Sequence, residues 1–109
     1  MIKSLSLLTR KPELTPEEFR KVWVAEHAPM VRRVPGVRKY VLSFVIDEPK
    51  TANAPIQAMH VDAMAELWYD DVAALRRAQQ SDELKAVLAN GARYLGQIKT
   101  FITEEIDII

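Results

Sequence analysis

Apolar positions alternate from residue 2 to residue 9 and stop at Arg10-Lys11-Pro12, which predicts a first strand. The strongest local signal follows, Thr15-Pro16-Glu17-Glu18. Thr15 is a helix cap, Pro16 suits the first helical position and Glu18 completes a capping box. Behind it Phe19, Trp23 and His27 recur every four residues, with Val22 and Met30 beside them, and so make an apolar stripe. Pro29 removes an amide donor, so this helix is expected to end or kink near His27-Ala28. A further turn over Met30 to Arg33 stops at Pro35-Gly36.

Segment 37–47 reads as a second strand, with Tyr40, Leu42, Phe44 and Ile46 on one face and Val37, Val41 and Val45 on the other. Residues 48–56 are a loop by composition. A third strand is predicted from about 58 to 69, a short helix over 72–79 capped by Asp70 or Asp71, and a second over 82–95 capped by Ser81. The inner face of that last helix holds Leu84, Val87, Leu88 and Tyr94. A final strand covers about 97–106.

The order strand, helix, strand, strand, helix pair, strand is that of an α+β, ferredoxin-like βαββαβ fold with a four-stranded antiparallel sheet. The whole chain, 1–109, fits a single domain. Helices cover one side of such a sheet, yet three of its strands carry apolar residues on both sides. A bare apolar face exceeds what a monomer tolerates, and a second copy of the same face is the simplest closed solution. A homodimer through the sheet face is therefore expected.

Composition narrows the chemistry. Hydrophobic residues form 49% of the chain, enough for a packed core. Lys plus Arg and Asp plus Glu number 15 each, which leaves no net field to gather phosphate, so nucleic acid is not an expected partner. No apolar run approaches the roughly 20 residues of a membrane span, and the first ten residues are too short an apolar run for a signal peptide. Cysteine is absent, which excludes thiolate catalysis and Cys-ligated metals and fits a cytoplasmic protein. GxGxxG, P-loop and HExxH motifs are missing.

His27 is the leading chemical candidate. It lies in register with Phe19 and Trp23, and so faces inward, at the point where Pro29 breaks the helix. A helix C-terminus favours its protonated form and burial opposes it, so it suits acid–base work; its plainer reading is a hydrogen-bonded histidine ending a helix. Tyr40 either fills the core or offers its hydroxyl to a ligand. Glu66 pairs with an Arg, points to solvent or lines a cavity, since an unpaired carboxylate in an apolar strand is costly. Asn53 is a loop residue or a ligand contact, and Trp23 a core residue or pocket wall. His27, His60 and Glu66 have no metal-ligand spacing, so no metal is expected. Arg32-Arg33 and Arg76-Arg77 read as solvated helix faces.

Arg10-Lys11-Pro12, Thr15-Pro16-Glu17-Glu18-Phe19-Arg20, Trp23, His27-Ala28-Pro29 and Val34-Pro35-Gly36-Val37-Arg38-Lys39-Tyr40 together resemble the EthD family of the dimeric α+β barrel superfamily. Gly91, Tyr94-Leu95-Gly96-Gln97-Ile98-Lys99 and Phe101-Ile102-Thr103-Glu104-Glu105 extend the similarity, which is greatest to the methylmuconolactone methylisomerase-like members. The resemblance implies two sheets packed face to face as a barrel, and a ligand cavity in each subunit between sheet and helices. It implies that His27 and Tyr40 belong to a lactone site. Leu67 stands where those members have a Cys, and Asn53 where they have a His. The expectation is an enzyme needing no cofactor that acts on a small oxygenated organic ligand such as a lactone or phenolic, by isomerisation, elimination or cyclisation. The alternatives are a non-catalytic small-molecule binder of an oxidative degradation pathway and, by superfamily analogy, an oxygenase.

Overall fold

The computed structural model describes residues 1–49, 54–55 and 59–109. The strands are β1 (Ile2–Arg10), β2 (Lys39–Phe44), β3 (Ala63–Tyr69) and β4 (Leu95–Glu104). They form one antiparallel sheet in the order β2-β3-β1-β4, the ferredoxin-like arrangement. The helices are α1 (Pro16–Val22), α2 (Ala28–Val31), α3 (Val72–Gln79) and α4 (Asp82–Gly91).

The capping box forms as the sequence predicts: the Thr15 hydroxyl accepts from the Glu18 amide, and the Glu18 carboxylate accepts from the Thr15 amide. The helical path does not stop ahead of Pro29. It widens instead into a π turn over Trp23–His27, in which the Ala28 amide donates to the Trp23 carbonyl, and it resumes as α2. A π turn absorbs an irregularity in the hydrogen-bond ladder without ending the helix. Gly36, at φ +84°, then makes the left-handed turn into β2.

Several boundaries differ from the sequence expectation. β2 ends at Phe44, and Ile46 beyond it is almost fully exposed. β3 begins at Ala63, and the Asp62 carboxylate before it accepts from the Arg10 amide (2.8 Å) and guanidinium (2.6 Å); residues 56–58 lie outside the described residues. α4 ends at Gly91 and not near residue 95, so Tyr94 lies in the following turn, where its carbonyl accepts from the Lys11 amide. β4 starts two residues early, with a bulge opposite Thr9 and Arg10.

Ser4, Ser6 and Leu8 of β1 face the helices alongside Ala63, Ala65, Leu67 and Tyr69 of β3 and Tyr40 of β2. The core forms two clusters, one around Leu75 and one around Leu8 and Phe19, and these three side chains are fully enclosed. β4 extends past the helical layer, and Ile98 and Ile102 on its helix side are 52% and 42% exposed.

The opposite face of the sheet carries Leu5 and Leu7, Val41, Met64 and Phe101, and it has no helix over it. It is less uniformly apolar than the alternation predicts. Lys3 and Glu66 form an ion pair at 2.8 Å in its middle, and Lys3 and Lys39 sit over the Trp68 ring. No helix among the described residues is long and apolar enough to cross a membrane.

Candidate active site

Between the sheet and the helices lies a cavity of about 690 Å³. Its floor is Ser4, Ser6 and Leu8 of β1 with Ala65, Leu67 and Tyr69 of β3. Trp23, His27 and Val31 form one wall, and Leu84, Val87 and Gly91 of α4 form another. The Ile98, Thr100 and Ile102 side chains of β4 border it where the helical layer stops, so the exposed edge of β4 is its mouth. The lining is mostly apolar, and among the described residues none of it is charged. Ser6 and Thr100 share a hydrogen bond of 2.8 Å across β1 and β4. A volume and lining of this kind suit a small organic ligand.

The widened turn sets the chemistry. Trp23 and His27 project from it onto the cavity and stack with ring centroids 3.7 Å apart and planes 22° from parallel. The imidazole is only 5% exposed. Burial lowers the pKa of His27, and its hydrogen bond to Asn90 opposes that fall. The result is an imidazole that is neutral at pH 7.

Tyr40 enters from β2, paired across the ladder with Leu67. Burial pushes its phenol up to about 12, against the effect of the Trp23 indole N–H beside it. That N–H closes no hydrogen bond to the phenol and is buried without an acceptor among the described residues. Tyr40 is therefore a donor throughout the physiological pH range. Tyr69, also on the lining, is pushed up by burial as well.

His27, Tyr40, Trp23 and Leu67 thus meet on one cavity. Glu66 does not join them: of the places expected for it, the cavity lining is not the one it takes. It is adjacent to Leu67 in a strand, so it must project from the other face, where it pairs with Lys3 and not with an Arg. Asn53 lies outside the described residues. His60 sits apart, its Nε2 3.0 Å from Asp62, in contact with Arg10. Among the described residues no cluster of three His, Asp or Glu side chains is placed to hold a metal ion. Arg32, Arg33, Arg76 and Arg77 are exposed.

Sequence reasoning missed Asn90, whose Oδ1 lies 2.9 Å from His27 Nδ1. The predicted helix over 82–95 runs through Asn90, and nothing local in it signals this contact. Gly91 belongs to the family resemblance, and the structure supplies a steric reason for a glycine there. A Cβ there would come within 3.2 Å of His27 Cε1 and 3.3 Å of the Trp23 ring.

Comparison with known proteins agrees with the fold. A 4-carboxymethyl-4-methylbutenolide mutase of Pseudomonas reinekei is 33% identical over 107 residues, which cover 97% of this chain and 99% of that one. The crystal structure of an ethyl tert-butyl ether degradation (EthD) family protein from Bacillus halodurans superposes with a TM-score of 0.76 at 27% identity, over 97% of this chain and 100% of the other. A ferredoxin-like protein of Thermobifida fusca, described as dimeric, shares the fold at 18% identity with a TM-score of 0.67, covering 94% and 88% of the two chains. The family model of the EthD domain matches residues 11–97. With a wide family match and a full-length relative in agreement, the chain belongs to the EthD domain family.

Proposed function

We propose that this protein is a cofactor-independent enzyme of the isomerase type that acts on a small lactone by proton transfer. The observation that carries the reading is the meeting of a neutral His27 and a protonated Tyr40 on the walls of one apolar cavity. The full-length similarity to a butenolide mutase supports the choice of a lactone. His27 takes a proton from carbon conjugated with the lactone carbonyl, and Tyr40 donates a hydrogen bond to the carbonyl oxygen as charge gathers there. Return of the proton to a different carbon completes an isomerisation with no net change in composition. The uncharged lining strengthens both interactions. Leu67 adds bulk and no reactive group to the wall, so the ring substituents accepted differ from those of enzymes with a polar residue there.

The working unit in this proposal is a homodimer closed through the face that bears Leu5, Leu7, Val41 and Phe101. That face lacks a helical cover, and a protein of the same fold is described as dimeric. A second reading, a binding protein without turnover, draws on the apolar Leu67 wall. Incubation with 4-methyl- and 4-carboxymethyl-substituted butenolides, followed by proton NMR, separates the two. New ring-proton signals that grow with enzyme concentration support the enzyme. Saturable binding of every butenolide without conversion supports the binder.

A further inference from the structure

The contact between Asn90 and His27 fixes more than a position. The Asn90 Oδ1 lies 2.9 Å from His27 Nδ1, and a carbonyl oxygen only accepts, so Nδ1 carries the ring's hydrogen. A neutral imidazole holds one hydrogen, and Nε2 is then left with its lone pair. Trp23 is stacked on one side of the ring, and Gly91 closes on the Cε1 edge without a Cβ. Ring flips are thereby opposed by packing as well as by the hydrogen bond.

We infer that Asn90 is a positioning residue that locks His27 in the Nδ1–H tautomer and makes Nε2 the basic atom that the imidazole offers to the cavity. It acts through His27 and does not itself touch the ligand. The inference rests on the acid–base reading of the site for its catalytic consequence, but the tautomer is a property of the free protein. The other titratable groups facing His27 across the cavity are Tyr40 and Tyr69, both held protonated by burial. Glu26, next to His27 in the π turn, is exposed and accepts from the Tyr94 hydroxyl at 3.0 Å. None of these groups competes with Asn90 for Nδ1 in the structure.

The test is long-range proton–nitrogen correlation NMR of the full chain labelled with ¹⁵N-histidine, which reports His27 and His60 separately. At pH 8 the wild-type His27 is expected as the Nδ1–H form. Asn90→Ala should convert it to a tautomer mixture, with a kcat loss of about tenfold or more for any lactone the wild type turns over. Asn90→Asp, which keeps an acceptor at the same place, should retain the Nδ1–H form and move the His27 titration to higher pH. It also serves as the informative variant if Asn90→Ala does not fold. An Nε2–H form in the wild type overturns the inference, because the Asn90 amide would then be donating. So does a tautomer unchanged in Asn90→Ala, or an unmoved titration in Asn90→Asp. A locked tautomer in a protein that converts no lactone leaves the positioning role standing and removes the proposed reaction.

Discussion

Trp23 and His27, four residues apart in a π turn, stack with their centroids 3.7 Å apart over the backbone of Gly91. The stack depends on a missing side chain. Gly91→Ala places a methyl 3.2 Å from His27 Cε1 and 3.3 Å from the indole, in a buried site with little room to yield. Overpacking of this kind costs about 1–3 kcal/mol. A lowered Tm with a displaced His27 resonance is expected. An unchanged Tm and spectrum would mean that the stack is not tightly held.

The pH dependence follows from His27 and Tyr40. Burial lowers the imidazole pKa below its usual 6.5, while the unfolded chain keeps the usual value. Above 6.5 both states are neutral at this position, so stability and the basic form of His27 are intact. As the pH falls below 6.5 the unfolded chain takes up a proton first. Stability therefore declines until the folded value is passed. Turnover is expected to be flat through neutral pH, to fall on an acid limb below 6.5, and to show no alkaline limb from Tyr40 before the pH nears 12. A pH–rate profile checks this, and an optimum on the acid side of pH 5 would contradict it.

Tyr40→Phe removes one hydroxyl from the cavity and leaves the ring that packs beside Leu67. Loss of one donor to a developing oxyanion lowers kcat by about 10²-fold or more. Thermal stability should move by less than about 1 kcal/mol. A variant with full kcat would remove Tyr40 from the mechanism.

The open sheet face makes a prediction about assembly. Phe101 is 42% exposed there and stands opposite Leu5 on the neighbouring strand. Phe101→Asp places a charge in an apolar patch and should convert a dimer of the 12.4 kDa chain into a monomer. Light scattering coupled to size exclusion reads the change. A monomeric wild type at micromolar concentration would contradict the paired sheet.

Much of the fold is legible in the sequence because its signals are local. Thr15, Pro16 and Glu18 announce α1, Asp71 and Ser81 cap α3 and α4, and alternation marks β1 and β2. The π turn is not legible, since Pro29 signals only that the ladder is interrupted and not how the helix absorbs it. The open face is misjudged for a related reason. Lys3 and Glu66 are distant in sequence, and their pairing within an apolar face depends on strand register. Within the site, the inward stripe of Phe19, Trp23 and His27 is periodic and hence readable. Asn90 reaches His27 across 63 residues, and no local pattern encodes that contact.

Proton transfer by His27 is the central claim, and exchange of substrate hydrogen with solvent tests it most directly. A butenolide incubated with the wild type in D₂O at pH 7.5 should take up deuterium at the carbon conjugated with its carbonyl, faster than in buffer alone. His27→Gln, which keeps a polar side chain of similar reach, should reduce that rate by about 10²-fold or more. Deuterium uptake at the wild-type rate in His27→Gln would show that the proton moves by another route, and would contradict the account.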